Sequence, residues 1–246
     1  MKRSAVVFAI LSLSFGVSAW AGSGITHQQA KKLAVDAYKG NQQSLDTLKS
    51  DAHSGDARAE DWLGVYYGAK KDYVKANYWF QKAADQGYAG AEFNLGSAYY
   101  NGQGVPQDYA KANHWFQKAA DQGLAQAENN LGVAYAKGQG VSQDYAKANY
   151  WFQKAADEED AEAEFNLGAA YAKGHGVPQD YAKAVYWFQK AADQGYAGAE
   201  FNLGVAYYNG KGVPQNNMTA MHWFQKAAAV GFGPARHAIA VLEHGG

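Results

Sequence analysis

The sequence contains no cysteine. A thiol nucleophile, a thiolate metal site and a stabilising disulfide are therefore excluded, so the fold must be held together by packing alone. The sequence also has no excess of basic residues: 22 Lys and Arg stand against 23 Asp and Glu, which gives a formal net charge of −1 at pH 7. Because nucleic-acid binding normally needs a basic surface, we expect no nucleic-acid partner.

Motifs for catalysis or metal binding are missing as well. The seven histidines are scattered, and none forms an H-E-x-x-H motif or another metal-ligand pair. The S-x-x-K and K-T-G motifs of serine β-lactamases are absent. The sequence therefore predicts a protein that is not an enzyme and that holds no cofactor or metal.

The N-terminus has the form of a signal peptide. Lys2 and Arg3 precede an apolar segment, residues 5–17, and Ala19-Trp20-Ala21 has the small-x-small pattern that signal peptidase cleaves. The alternative is a membrane anchor, but the apolar segment is shorter than the roughly 20 residues needed to span a bilayer. We therefore predict that residues 1–21 are a cleaved signal peptide. The protein is then exported to the periplasm or secreted, and it does not span the membrane after cleavage.

The dominant feature of the chain is an internal repeat. A Trp-Phe pair recurs every 36 residues, and an Asn-Leu-Gly triplet recurs with it. Self-similarity at such a period is typical of a stacked-repeat solenoid. The pairs are Trp79-Phe80, Trp115-Phe116, Trp151-Phe152, Trp187-Phe188 and Trp223-Phe224, and the triplets begin at Asn94, Asn130, Asn166 and Asn202.

Each repeat is predicted to form two helices. In the unit that starts at Ala89, small and apolar residues follow a helical spacing up to Asn101. Gly102–Pro106 then interrupts the helix, Asp108 can cap the next one, and Gly123 can end it. Gly96 and its equivalents sit inside the first helix, where glycine costs about 1 kcal/mol relative to alanine. We therefore expect a neighbouring helix to pack against them, and we expect the Trp-Phe aromatics to fill the core.

These residues resemble the Sel-one-like repeat, a relative of the tetratricopeptide repeat. The resemblance rests on the pattern A-x-x-x-L-G-x-x-Y-x-x-G-x-G-V-x-x-D-x-x-K-A-x-x-W-x-x-K-A-A-x-x-G, which Ala91 to Gly123 satisfies and the next three units follow closely. The last of these departs from it at Asn216 and Thr219. The resemblance implies an all-α fold, a right-handed α-solenoid of antiparallel helix pairs whose first helices line a concave face.

The repeat pattern also predicts the domain organisation. Residues 22–56 are expected to form a degenerate N-terminal helix pair that caps the stack, and residues 233–246 a C-terminal capping helix. Between them lie five repeats, of which the first has a shorter turn. Their predicted bounds are 57–88, 89–124, 125–160, 161–196 and 197–232.

One junction between repeats is acidic. Glu159 stands where the other units have glycine, within the run Asp157–Asp160, and Glu162 and Glu164 follow. The run is either a solvated turn with a modest strain cost or a contact for a basic partner or a divalent cation.

Alignment with the parent repeat predicts which first-helix residues face a partner. The repeated asparagines Asn94, Asn130, Asn166 and Asn202 could hydrogen-bond the backbone of an extended peptide, or each could tie its helix to a neighbour. Residues that differ between units are better candidates for specificity. These variable candidates are Phe93, Asn129, Phe165, Phe201, Tyr100, Tyr208, Lys137 and Lys173. The phenylalanines among them could instead be buried against adjacent helices.

The sequence as a whole favours a non-catalytic, exported repeat scaffold that binds a protein or peptide through its concave surface. Two alternatives remain open. One is a β-lactam or cell-wall hydrolase of the kind sometimes assigned to this repeat family, although no nucleophile or metal site is visible. The other is a peptidoglycan or glycan binder that uses the tyrosines.

Overall fold

The computed structural model describes residues 24–244, so the predicted signal peptide, residues 1–21, lies outside the described part of the chain. Residues 24–244 form helices joined by turns, and the predicted all-α solenoid fold is confirmed. The helices are α1 His27–Tyr38, α2 Gln42–His53, α3 Ala57–Ala69, α4 Tyr73–Asp85, α5 Ala89–Asn101, α6 Tyr109–Asp121, α7 Ala125–Lys137, α8 Tyr145–Asp157, α9 Ala161–Lys173, α10 Tyr181–Asp193, α11 Ala197–Asn209, α12 Asn217–Ala229 and α13 Gly233–His244.

The chain divides into two compact units, Met1–Ala127 (unit 1) and Glu128–Gly246 (unit 2), with the division inside α7. Within each unit the two helices of a repeat pack against each other: α3 on α4 and α5 on α6 in unit 1, and α9 on α10 and α11 on α12 in unit 2. Consecutive repeats are joined by the packing of a second helix on the next first helix, for example α10 on α11.

The turn between the two helices of a long repeat needs both of its glycines. Gly102 ends α5 in the left-handed region at φ 67°, where a side chain would be strained. Gly104 also has a positive φ, 73°, and a Cβ on it would lie 2.7 Å from the carbonyl carbon of Tyr73. The second helix then begins at a polar cap, because the carboxylate of Asp108 accepts a hydrogen bond from the Lys111 amide.

The glycine inside each first helix lies against the phenylalanine of the Trp-Phe pair. A Cβ on Gly96 would be 2.6 Å from two ring carbons of Phe116, whose side chain is 2% exposed. Gly64, Gly132 and Gly168 show the same close approach to Phe80, Phe152 and Phe188. The glycine therefore lets the second helix come close to the first, as its recurrence predicts.

Replacing Gly96 with alanine is expected to destabilise the protein by about 1–2 kcal/mol. Overpacking of a tight core costs about 1–3 kcal/mol, and the better helix propensity of alanine returns about 1 kcal/mol at most. Thermal unfolding of the variant measures the effect. Gly68→Ala is the matched control, because a Cβ there would meet only the Ala76 Cβ at 3.9 Å, so its melting temperature should rise. A fall for both variants, or a rise for both, would contradict this explanation.

A buried glutamate in every first helix is a feature that the sequence analysis missed. Each carboxylate is 1–4% exposed and pairs with the ammonium of a lysine in the second helix of its own repeat, at N···O distances of 2.9–3.4 Å. The same ammonium lies 4.4–5.1 Å from the ring centroid of the Trp in the Trp-Phe pair. The pairs are Glu60–Lys82, Glu92–Lys118, Glu128–Lys154, Glu164–Lys190 and Glu200–Lys226. The Trp therefore holds a lysine in position as well as filling the core.

Candidate functional site

A groove runs along the first helices of unit 2. It consists of two adjoining depressions that share Asn166, Ala169 and Lys173 of α9. The smaller one, about 140 Å³, lies between α7 and α9, and the larger one, about 560 Å³, lies between α9 and α11. We call these two depressions the unit 2 groove. Five of the twelve predicted partner-binding residues line it: Lys137, Phe165, Asn166, Lys173 and Asn202.

Small side chains form much of the groove floor, and aromatic rings stand among them. Ala169, Ala172 and Ala206 leave room for a bound chain, and Phe165 and Phe188 provide apolar surface. A concave surface with an apolar floor and a few polar groups is typical of a binding site. The local sequence explains the shape, because the first helices carry alanine at positions where a longer side chain would fill the depression.

Three lysines give the groove a positive charge. Lys137 and Lys173 are the last residues of α7 and α9, and Lys211 follows α11. The Lys211 ammonium lies 5.3 Å from the centroid of the Tyr181 ring. None of the three belongs to an ion pair found in residues 24–244. The lining of the groove includes no Asp or Glu.

The repeated asparagines divide into two kinds. Asn94 donates a hydrogen bond from Nδ2 to Oδ1 of Asp61 at 2.8 Å, and Asn166 donates one to Oδ1 of Asn129 at 2.9 Å. These two side chains tie adjacent first helices together within their own units. The amides of Asn130 and Asn202 make no hydrogen bond with the described residues, and Asn202 lines the groove. The interpretation that each asparagine ties its helix to a neighbour therefore holds for Asn94 and Asn166, and peptide binding by Asn130 and Asn202 stays a prediction.

The three predicted phenylalanines are half-buried and contact other rings. The Phe93 centroid lies 5.7 Å from that of Phe116, and the Phe201 centroid lies 5.5 Å from that of Phe224. Phe165 makes the equivalent contact with Phe188 at 5.8 Å but also lines the groove. Packing within the repeat thus accounts for Phe93 and Phe201, and Phe165 alone of the three also reaches the candidate site.

The remaining predicted residues have different surroundings. Asn129 is 3% exposed and accepts the hydrogen bond from Asn166, so its side chain faces a neighbouring helix. Tyr100 is half-buried against the ring of Tyr109, with centroids 5.1 Å apart. Tyr208 is 38% exposed on α11.

Among the groove residues that were not sequence candidates are Lys211, His175 and Tyr181. Lys211 and His175 occupy the position between the two glycines of the turn, where the other long repeats have glutamine, and Tyr181 begins α10. The His175 ring stacks on that of Tyr145, with centroids 4.5 Å apart. Variation at this turn position was the available signal, because the rest of the turn repeats almost unchanged.

The acidic junction forms no metal site in the described residues, where no group of three or more His, Asp and Glu side chains could hold an ion. Glu159 has a positive φ of 59°, which is strained for a residue with a side chain. Asp160 caps α9, and Glu164 is buried and paired with Lys190. Burial, and then the nearby Asp160, raises the pKa of Glu162, whereas a hydrogen bond from Asn129 and the charge of Lys137 lower it.

Comparison with known proteins agrees with this architecture. The Sel1 repeat model matches residues 57–88, 89–124, 125–160, 161–196 and 197–232. A solved structure described as a protective antigen with an SLR fold, present in uropathogenic Escherichia coli strains, is 42% identical, with a TM-score of 0.76. That match covers 80% of this chain and 43% of the antigen's chain, so this chain spans less than half of it.

A Sel1 repeat protein from Oxalobacter formigenes is 30% identical over 87% of each chain, with a TM-score of 0.79. No curated protein matches the sequence. Within residues 24–244, no helix is both long enough and apolar enough to cross a bilayer. The five matched repeats span most of the sequence, and the chain therefore belongs to the Sel1 repeat family, whose members act as protein-interaction scaffolds.

Proposed function

We propose that this protein is an exported, non-catalytic scaffold that binds a segment of another protein in the unit 2 groove. The observation that carries the proposal is the groove itself, because it combines a lining of small side chains with the amide of Asn202, which has no hydrogen bond within residues 24–244, and with lysines that belong to no ion pair there. Such groups can hydrogen-bond a peptide backbone or its side chains without displacing a contact that the fold needs.

The family supports the general role, and the N-terminal sequence supports export. Sel1 repeats mediate protein interactions, and residues 1–21 have the composition of a signal peptide. The relative in uropathogenic Escherichia coli is a protective antigen, which agrees with an exported location. Export is tested by sequencing the N-terminus of the protein recovered from the periplasm or the medium: Gly22 as the first residue is expected, and an intact Met1 would oppose the proposal.

Blocking the groove tests the binding function. Ala172 lies on its floor, so Ala172→Trp should fill the space that a bound peptide needs. On an array of random peptides, we expect the native protein to bind a subset and the variant to lose at least about tenfold in affinity, which corresponds to about 1.4 kcal/mol.

Val230→Trp is the matched control, because Val230 is 69% exposed after α12, away from the groove lining. It adds the same ring and should leave binding unchanged. Equal binding by the native protein and Ala172→Trp, with both variants melting at the native temperature, would rule out the groove as the binding surface.

A further inference from the structure

We propose that the unit 2 groove selects acidic peptides, and that the ammonium groups of Lys173 and Lys211 are the main source of this selectivity. The inference rests on the proposed function and names the chemical class of the partner: an extended segment in which carboxylate side chains alternate with small or apolar ones.

The pairing of lysines in unit 2 carries the argument. Unit 2 contains eight lysines. Five of them pair with a carboxylate, either with an N-cap aspartate, as Lys183 does with Asp180, or with a buried glutamate, as Lys190 does with Glu164. The three unpaired lysines, Lys137, Lys173 and Lys211, all line the groove. Among the described lysines of unit 2, those outside the groove are therefore paired with a carboxylate, and those that line it are not.

The two ends of the groove differ in charge. Glu162 is near enough to Lys137 for that lysine to lower its pKa, so its carboxylate offsets part of the positive charge between α7 and α9. No acidic residue lines the larger depression, where Lys173 and Lys211 stand. The positive potential is therefore strongest between α9 and α11, and a partner's carboxylates are expected there.

The uncharged groups of the larger depression indicate a peptide rather than a compact anion. Successive side chains of an extended chain point in opposite directions, so acidic residues can face the lysines while their neighbours face Ala169, Val205 and Phe165. The free carboxamide of Asn202 offers both a donor and an acceptor to the backbone between them. A small anion would leave this apolar surface and this amide unused.

The test uses the full exported chain and three fluorescein-labelled octapeptides. In all three peptides, every second position is Leu or Ala. The remaining positions are Glu in one peptide, Gln in the second and Lys in the third. By fluorescence anisotropy, we expect the Glu peptide to bind at least about tenfold more tightly than the Gln peptide, and the Lys peptide to bind weakest. The affinity of the Glu peptide should fall as the NaCl concentration rises from about 50 to about 300 mM, because screening weakens exposed charge pairs.

Two variants locate the effect. Lys173→Gln combined with Lys211→Gln should reduce binding of the Glu peptide by at least about tenfold and leave binding of the Gln peptide unchanged. Lys183→Gln removes a lysine from the same repeat as Lys173, but one that is already paired with Asp180. It should change the affinity of neither peptide. If the double variant and Lys183→Gln lost the same affinity for the Glu peptide, the proposal that Lys173 and Lys211 select acidic peptides would be overturned.

The remaining outcomes separate this inference from the proposed function. If the Gln or Lys peptide binds as tightly as the Glu peptide and Ala172→Trp abolishes that binding, acidic selectivity is wrong while peptide binding in the groove stands. Tighter binding of an octathymidine oligonucleotide than of the Glu peptide would also overturn it, in favour of a polyanion surface. If no peptide binds at about 1 mM, or Ala172→Trp has no effect, both the selectivity and the proposed function fail.

Discussion

Lys118→Met is expected to reduce the free energy of unfolding by about 1–3 kcal/mol at pH 7.5, because the buried Glu92 carboxylate loses its ammonium partner. The Lys118 side chain is 40% exposed, so water already screens part of this pair and the loss is smaller than for a fully buried one. The carboxylate of Glu92 is 1% exposed and would keep only the hydrogen bond from Gln122, at 2.7 Å. The Trp115 ring would also lose the ammonium that lies 4.4 Å from its centroid. Urea unfolding followed by circular dichroism measures the loss.

The stability lost in Lys118→Met should be greater at high pH than at low pH. Burial raises the pKa of Glu92 above its usual value, and Lys118 opposes that rise. A carboxyl group whose pKa is higher in the folded than in the unfolded protein destabilises the fold as pH rises from the unfolded pKa through the folded one. Without Lys118 the folded pKa rises further, so the variant should recover much of its stability near pH 4.5 and lose it again above pH 7.

Two further variants separate the buried pair from surface charge effects. Lys111→Met removes a lysine that is 63% exposed and paired with the N-cap Asp108, and it should change stability by less than about 1 kcal/mol. Glu92→Gln added to Lys118→Met removes the uncompensated charge and should restore most of the loss. An equal effect of Lys111→Met and Lys118→Met would show that the buried pair has no special role.

The period of the sequence was sufficient to predict the fold. Apolar spacing places Phe116 and Ala112 on one helix face, and the recurrent glycine predicts a close helix contact at Gly96, because both signals depend on local periodicity. The buried glutamate escaped prediction for a physical reason. A glutamate in the first turn of a helix ordinarily stabilises the exposed helix N-terminus, so the position of Glu92 in the sequence gives no indication of burial. Its recurrence together with Lys118 in every repeat was the available signal.

The candidate site was only partly predictable, since an equivalent position in the repeat does not determine which side chain of the neighbouring repeat it contacts. Asn166 and Asn202 are equivalent in sequence, yet one is bonded and the other is free. What decides is the preceding repeat: Asn129 can accept a hydrogen bond from Asn166, whereas Phe165, at the equivalent position before Asn202, cannot. Lys211 lies in a turn, outside the first-helix positions that alignment with the parent repeat predicts to face a partner.

Asp61→Asn is expected to stabilise the protein above pH 7 by up to about 4 kcal/mol. Asp61 occupies the position equivalent to Asn129, one repeat cycle from Phe93, and its side chain is fully buried. Oδ1 accepts the hydrogen bond from Asn94, but Oδ2 is buried and accepts none from the described residues. Burial raises the pKa of Asp61 to about 7, and the Asn94 hydrogen bond opposes this only in part.

The direction in which the free energy of unfolding changes with pH follows from the linkage between protonation and folding. The pKa is about 7 in the folded protein against 3.8 for an ordinary aspartate, so the native protein loses stability as pH rises from about 4 to about 7. A difference of about 3 pKa units corresponds to about 4 kcal/mol. Asparagine keeps an acceptor for Asn94 and has no charge to bury. The two proteins should therefore unfold at similar urea concentrations near pH 4, with the variant progressively more resistant towards pH 7.5.

Other polar groups close to Asp61 define how the result should be interpreted. The Tyr88 hydroxyl has a pKa raised by burial and by the charge of Asp61, and it lies 2.8 Å from Nδ1 of His27. Burial lowers the pKa of His27, with Lys31 and Arg58 adding to the effect. A histidine whose pKa is lower in the folded than in the unfolded protein makes the protein more stable as pH rises. This change in the free energy of unfolding is opposite to the one expected from Asp61. Both proteins contain His27, so its contribution cancels in the stability difference between Asp61→Asn and the native protein.

The reverse substitution provides the strictest check, because the chain already contains the asparagine form of this contact. Asn129 accepts from Asn166 as Asp61 accepts from Asn94, so Asn129→Asp should create a second buried carboxyl. It should destabilise the protein above pH 7 by an amount at least as large as Asp61→Asn stabilises it, since Glu162 bonds to Asn129 and would then face a like charge. If the stability difference between Asp61→Asn and the native protein were the same at pH 4 and pH 7.5, the pKa of Asp61 would be close to that of an exposed aspartate, and the buried carboxyl would be ruled out as the cause.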